Sequence, residues 1–490
     1  MRKLRRLLFR LFLFAFLIIL AIVVVKTVSF SSKQISVEPI DKISIANSVS
    51  NRLANVVRIP TNSYETHVDT NAFIQYHEYV DSIFPNVDSL LQKDTINEFS
   101  RIYKWQGRNT KLKPYLLIAH LDVVPVEEAS QDQWTEPPYS GNIKDGFIWG
   151  RGTLDDKVSA MAMFETIEKL LKEDYQPERT LYLGFGHDEE VGGIKGAKSI
   201  VEYFSKKEIS FEYVLDEGSL IVENAIPGLN SPAALIGNAE KGYATLELNL
   251  NMEHGGHSSM PPQETAIGIM SNAIAKLQDN PFPAELKENT RMLFDNLGPE
   301  MTLPNKAVFA NLWLLEGVLI SQLEKSPSSN AMLRTTTAPT IINAGVKENV
   351  LPTSVSTQVN FRILPGETIE SVIEGVKKII DDERIKVELK GSIFASNPSK
   401  VSDVNTFGFN ALEKTVREIF PEAVVSPSLV IATTDSRYYG PVSENIYRFM
   451  PVQLNNSDLK RIHGIDERIS VESYKDMIRY YYQLIKNSSF

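Results

Sequence analysis

Tyr115-Leu116-Leu117-Ile118-Ala119-His120-Leu121-Asp122 is the stretch from which the fold can be read. It is apolar at every position from Tyr115 to Ala119 and stops at His120. A short continuous apolar run of this kind predicts a strand covered on both faces. His120 and Asp122 lie just past it at i and i+2, so their side chains can point the same way. One can bind a metal ion while the other holds the imidazole in its tautomer.

Working outward, the pattern recurs. Residues 158–171 read as a helix, 180–185 as the next strand, 197–204 as a helix, and 211–215 as a strand that runs into Asp216. Upstream, 42–56 places Ile43, Ala46, Val49 and Leu53 on one helical face, and the helix gives way at Ile59-Pro60. A last helix covers 471–485. Strands alternating with helices predict an α/β fold, a parallel or mixed sheet flanked by helices on both faces. In such sheets ligands bind beyond the carboxyl ends of the strands.

The ionisable residues fall at those ends. Asp155 sits in Gly150-Arg151-Gly152-Thr153-Leu154-Asp155-Asp156-Lys157, directly before a helix and near the positive end of its dipole. Taken alone it reads as an N-cap. Glu189 and Glu190 lie in His187-Asp188-Glu189-Glu190-Val191-Gly192-Gly193, after a buried strand. Buried charge needs a partner, and adjacent carboxylates repel unless a cation lies between them or one keeps a proton. Neighbouring residues point apart, so one Glu can bind metal while the other faces substrate. Asp216 ends a strand in Leu215-Asp216-Glu217-Gly218, where an Asx-turn is the bland alternative. His463, in His463-Gly464-Ile465-Asp466-Glu467, says little by itself. Together the set has the parts of a two-metal hydrolase: a bridging carboxylate, further N and O ligands, and a spare carboxylate for protons. Two ions roughly 3.5–4 Å apart can share one water, lower its pKa and clamp the tetrahedral oxyanion.

The register breaks at Lys241. Residues 244–251 alternate as a half-exposed strand, 264–277 read as a helix, 354–363 as a strand with Val355, Thr357, Val359 and Phe361 on one face, and 369–381 as a helix. This order predicts a small α+β domain at 241–390 inserted into a main domain formed by 42–240 and 391–490. A net charge of −10 argues against nucleic acid as a partner, since phosphate binding needs a basic surface. Cysteine is absent, which excludes disulfides and thiolate metal sites.

The N-terminus has a different character. Arg2, Lys3, Arg5 and Arg6 precede an apolar run at 11–25, extended by 7–9 across Arg10, about the length of a short membrane span. Positive charge before the span puts the N-terminus in the cytoplasm and the rest outside. Val23-Val24-Val25-Lys26 lacks a small-residue cleavage pattern. The expectation is a single-pass membrane protein with an extracytoplasmic catalytic domain: 1–29 the anchor, 30–41 a tether. Secretion after signal cleavage is the alternative.

These motifs resemble the aminoacylase, glutamate carboxypeptidase and carboxypeptidase S group of co-catalytic zinc hydrolases. The likeness is carried by Ala119-His120-Leu121-Asp122, Gly150-Arg151-Gly152 through Asp155, Asp188-Glu189-Glu190, Leu215-Asp216-Glu217-Gly218 and His463-Gly464. Glu240-Lys241-Gly242, Gly256-His257-Ser258-Ser259, Arg334-Thr335-Thr336-Thr337, Asn311-Leu312-Trp313-Leu314 and Asn360-Phe361-Arg362-Ile363 are similar to the carboxypeptidase S branch and its N-fatty-acyl-amino-acid synthase/hydrolases.

The resemblance implies a zinc-exopeptidase-like sheet with an inserted ferredoxin-like lid or dimerisation domain. It implies two zinc ions per subunit with Asp155 bridging, His120 and Asp216 completing one site, and Glu190 and His463 the other. Glu189 would be the general base, Asp122 a further catalytic residue, and His257 would reach from the lid to polarise the scissile carbonyl. Asn349, Arg362 and Arg437 are the implied substrate-binding residues, Arg362 and Arg437 for a free carboxylate. A cis peptide is implied at Asp155-Asp156. The implied reaction is hydrolysis of the amide of an N-acyl, including N-fatty-acyl, amino acid, reversible by condensation, in a possible homodimer formed through the lid. Two alternatives stand beside it: a metallo-carboxypeptidase on short peptides, and a silent binding protein on the same fold. The apolar stretch 307–320 is expected to be lid core or to line an acyl pocket.

Overall fold

The computed structural model describes residues 2–489. A ten-stranded mixed sheet forms its frame. At its centre the strands Ile446–Arg448, Val214–Asp216, Tyr115–His120 and Leu181–Gly186 run parallel. Tyr115, Leu117 and Ala119 pack on one face with Met161 and Phe164 of helix Lys157–Lys172 and Tyr480 of helix Val471–Asn487. Leu116 and Ile118 pack on the other with Ile200 and Phe204 of helix Ala197–Lys206. Two covered faces explain a strand that is apolar throughout, held by roughly 25 cal/mol per Å² of buried apolar surface. Because the strands are parallel, their carboxyl ends share one edge. His120 and Asp216 end adjacent strands there, and the short turn Glu189–Val191 follows Gly186.

Two elements differ from the sequence reading. The helix that follows Arg2–Ser29 is Ser48–Val57 and does not begin at Lys42. Lys42 pairs with Asp476 at 3.1 Å, and the carbonyl of Ile43 accepts from Arg479 Nε at 3.1 Å. The segment before Ser48 is therefore tied to the C-terminal helix instead of coiling. The strand expected over 211–215 is Val214–Asp216, because the amide of Phe211 donates to Val442 O at 2.8 Å, outside the ladder.

Strands Gly242–Asn251, Thr336–Ala344, Ser354–Ile363 and Ile385–Leu389 form a second, wholly antiparallel sheet. With helices Ala266–Asp279 and Ile369–Ile380 they make a β-α-β-β-α-β unit, the ferredoxin-like arrangement. Val355, Val359, Phe361 and Ile363 lie in its core, on alternate positions as the pattern requires.

Between the helix Ala266–Asp279 and the strand Thr336–Ala344 the chain makes an excursion. Helices Glu288–Leu297, Leu303–Ala310 and Leu312–Leu323 place Leu293, Phe294, Leu297 and Leu319 against Ala233 and Val424 of the large sheet. The apolar stretch 307–320 is thus not core of the four-stranded sheet. Its periodicity is satisfied by a different partner. Helix Arg2–Ser29 is exposed along nearly all its length and is long and apolar enough to cross a membrane.

Candidate active site

Four of the sequence-selected side chains converge at the sheet edge. His120 Nε2 lies 2.8 Å from Asp155 Oδ1, and His463 Nε2 lies 3.0 Å from Asp155 Oδ2 and 3.2 Å from Glu190 Oε1. Asp155 therefore turns one oxygen to each histidine, the disposition of a bridging carboxylate. Ligand atoms of His120, Asp155 and Glu190 all lie within 4.8 Å of one another. The peptide Asp155-Asp156 is cis.

Asp122 organises this cluster from beneath. Its Oδ1 is 3.3 Å from His120 Nδ1, and its two oxygens accept the backbone N–H groups of Glu189 and Glu190 at 3.1 Å each. One buried carboxylate thus orients both the imidazole and the Glu pair. Past the pair, Gly193 adopts φ +66, and a Cβ there would stand 2.1 Å from Asp435 Oδ1. His463 itself has φ +58, an uncommon conformation for a non-glycine residue.

Burial raises Glu189 well above the ordinary carboxylate range; His120 opposes the rise, while Asp435 and Glu190 add to it. Burial raises Glu190 too, followed by repulsion from Asp155. For Asp155 burial pushes upward, but the bonds from His120 and His463 win and pull it down. His120 is the mirror case, opposed by burial yet raised by Asp122 and Asp155. So many carboxylates in one dry place repel unless cations sit among them. Glu190 Oε1 is buried without a hydrogen bond, in spite of His463 nearby. Imidazole nitrogens and carboxylate oxygens are ordinary zinc donors. On these grounds the residues fit a pair of metal ions.

Asp216 stands on the adjacent strand, outside the group formed by His120, Asp155 and Glu190. Its oxygens accept from the amides of Glu217 and Ser436 at 2.9 and 2.8 Å, and burial raises it to about 6. Arg437 approaches Glu189, with Nη1 4.0 Å from Oε1. Its Nε and Nη1 are buried without acceptors, and so is Nη1 of Arg362. Burial lowers Arg362, Tyr243 opposes the shift and Arg437 adds to it. Arg362 stacks 4.7 Å from the ring of Tyr243, a residue outside the candidates chosen from the motifs.

His257 and Asn349 lie beside one another on the lid. Gly256–His257 pairs with Val350–Leu351, the amide of Ser258 donates to Asn349 O at 3.1 Å, and exposed His257 contacts Ser259 Oγ at 2.8 Å. No hydrogen bond or ion pair joins either side chain to the convergent cluster among the described residues.

Sequence reading missed Glu467. Fully buried, it accepts from the amides of Gly152 and Leu154 at 2.8 Å each and from Arg151 Nη1 at 2.5 Å. Arg151 Nη2 in turn donates to His463 O at 3.2 Å. Glu467 thereby fastens the loop bearing Asp155 to the turn bearing His463. Its position four residues after His463 was the available signal.

A buried carboxylate beside a cation-binding cluster, with an arginine 4.0 Å from it, is the working part of a metal-dependent hydrolase. The profile of peptidase family M20/M25/M40 matches residues 116–487. The probable carboxypeptidase S-like 2 of Dictyostelium discoideum is 42% identical over 483 residues, 96% of this chain and 92% of that protein. The human N-fatty-acyl-amino acid synthase/hydrolase PM20D1 is 39% identical over 441 residues, 89% of this chain and 87% of that one. The crystal structure of the M20 family metallo-carboxypeptidase Sso-CP2 from Sulfolobus solfataricus superposes with a TM-score of 0.67 at 18% identity, over 90% of this chain and 99% of that chain. The chain belongs to peptidase family M20/M25/M40 and is a zinc-dependent hydrolase.

Proposed function

We propose that the protein hydrolyses the amide bond of N-acyl amino acids, N-fatty-acyl amino acids among them, to a carboxylic acid and a free amino acid. The observation that carries this is that Arg437, 4.0 Å from Glu189, and Arg362 hold buried N–H groups without acceptors. A substrate carboxylate supplies those acceptors, and an acyl amino acid places its amide next to that carboxylate. Relatives named for this activity and for carboxypeptidase S support the same reading.

His120, Asp155, Glu190 and His463, with Asp216 on the adjacent strand, would hold the zinc ions. The ions supply polarisation of the scissile carbonyl and acidification of water at the site. Glu189 takes the proton of the attacking water on its carboxylate and passes it to the leaving nitrogen. Burial raises it above the ordinary carboxylate range, the direction that makes a carboxylate a stronger proton acceptor. Asp122 keeps the His120 tautomer and holds the backbone of the Glu pair.

His257 is exposed on the lid, and lid movement or a second copy would bring it to a site. We assign it to the carbonyl oxygen in a homodimer built on the lid (241–390), whose edge strand Thr336–Ala344 exposes Ile341 and Ile342. Arg2–Ser29 is assigned as a membrane anchor with the catalytic domain (42–240 and 391–490) outside.

The test is release of phenylalanine by the zinc-loaded full chain from N-oleoyl-phenylalanine, beside an N-blocked dipeptide, with Glu189→Gln as control. Release from the acyl substrate, lost in the control, is the expected result. Cleavage of the dipeptide alone would make the protein a carboxypeptidase, and inactivity on both would overturn the hydrolase reading.

A further inference from the structure

Helices Leu303–Ala310 and Leu312–Leu323 meet at 115°, and the second carries an exposed apolar stripe. Trp313 is 51% exposed, Leu314 47% and Val318 66%. With Gly317 they fall at i, i+1, i+4 and i+5, one face of the second helix. Leu319 faces the protein instead. Glu316, the one charged residue of that helix, is paired with Arg291 at 2.6 Å, so the stripe itself is uncharged.

The neighbouring N-terminal helix identifies what covers this face. Asn311 is fully buried, and its Nδ2 donates to Val23 O at 3.3 Å and to Thr27 Oγ1 at 3.1 Å. Lys26 Nζ lies 5.9 Å from the centroid of the Trp313 ring. The apolar part of that helix, residues 7–25, is about 28 Å long at 1.5 Å per residue. It therefore matches a hydrocarbon core of about 30 Å and ends near Val25. Val25 lies between the two residues that Asn311 grips. Lys26 then marks the headgroup level, and Trp313 stands beside it, at the depth where tryptophan is enriched.

Resting on the anchor reading, we propose that Leu312–Leu323 is a membrane-docking face. It lies along the outer surface of the bilayer that Arg2–Ser29 crosses, with Trp313, Leu314 and Val318 set among the headgroups and upper acyl chains, in the manner of an interfacial helix. The occupant is lipid because Asn311 fixes the height of the stripe against the anchor, so any bilayer holding the anchor meets the stripe. The same helix packs through Leu319 towards Val424 of the catalytic sheet. Docking therefore gives the catalytic domain one orientation at the layer into which a fatty acyl substrate partitions.

Trp313 permits a direct test, since Trp105, Trp134 and Trp149 are only 5%, 8% and 4% exposed. The zinc-loaded full chain is reconstituted in phosphatidylcholine vesicles whose acyl chains are brominated at defined depths. The Trp313 signal is the difference between the full chain and Trp313→Phe. Expected is loss of most of that signal with bromine near the glycerol end and less with bromine near the chain terminus. A Leu314→Asp/Val318→Asp variant should escape quenching while keeping its melting temperature and its hydrolysis of a short, water-soluble N-acyl amino acid. An unquenched Trp313 in protein that resists alkaline carbonate overturns docking and leaves the anchor standing, as does equal quenching in the Asp variant. Release by carbonate overturns the anchor and docking together. The hydrolase reading is judged separately, by phenylalanine release.

Discussion

Replacing Glu467 by Gln should loosen the metal centre without touching a proposed ligand. The substitution keeps the shape and removes the charge that faces Arg151, whose side chain is only 4% exposed. One amide oxygen can still accept from Gly152 or Leu154. The new NH2 group confronts either those amides or the guanidinium, a donor against a donor. Removing one partner of a buried ion pair costs about 3–5 kcal/mol. That strain falls on the loop 150–155 and, through Arg151 Nη2, on the backbone of His463. Residues that orient metal ligands change metal affinity about 10–100-fold, which is about 1.4–2.8 kcal/mol. The remainder should appear as lost stability of the folded chain. Two assays separate the parts: zinc affinity by competition with a chelator, and thermal unfolding at saturating zinc. The expected variant binds zinc at least about tenfold more weakly and recovers most of its activity when zinc is raised. Unchanged zinc affinity with a lowered melting temperature would refute the argument and leave Glu467 a purely structural residue.

Glu189→Gln should lower kcat/KM by about 10²–10⁴, the usual worth of a general base, while zinc affinity measured by the same competition stays within severalfold of the parent. Arg362→Ala and Arg437→Ala should each cost about 1.5–3 kcal/mol, the value of a hydrogen bond to a charged group. Kinetics on an N-acyl amino acid and its C-terminal carboxamide check this, because the penalty should shrink on the carboxamide. Leu117→Ala, in the strand covered on both faces, should lower the denaturant-unfolding free energy by about 2–5 kcal/mol. Lys241 offers a pH test: it is buried, donates to Ala331 O and Arg334 O at 2.9 and 2.8 Å, and is pushed by burial from 10.5 to about 7. Between those values the unfolded chain binds a proton that the folded chain does not, so this contribution rises with pH and is flat below about 7. Relative to Lys241→Met, the parent should gain at most about 1.4 kcal/mol per pH unit across that window. Denaturant midpoints of both proteins at pH 7 and 9 read the gap, and a constant gap would contradict the assignment.

How far the sequence reveals this molecule depends on how many structures share a given pattern. The run Tyr115–His120 allows few: a short segment apolar at every position, stopped by an imidazole, must be covered on both faces and end where polar groups are useful. Ser354–Ile363 is equally constrained, since its alternation places Val355, Val359, Phe361 and Ile363 on one side in one register only. The excursion Glu288–Leu323 is not so constrained. An apolar helical face has the same periodicity whether it meets the lid sheet, the large sheet or lipid, so 307–320 could not be placed without knowing what surrounds it. The helix start is open for a similar reason: Ile43 and Ala46 continue the periodicity, and only the distant Arg479 and Asp476 hold that segment out of the helix. The active site divides the same way. Glu189 and Glu190 announce themselves because buried charges after an apolar strand need a partner, whereas Asp155 alone reads as an N-cap. Glu467, in the polar run Ile465-Asp466-Glu467-Arg468, looks like a solvated carboxylate, and its burial is created by Arg151 and two amides more than 300 residues earlier. His257 marks the opposite limit. The motif around it was legible, but in this chain it faces solvent, and its side chain hydrogen-bonds only to its neighbour Ser259 among the described residues.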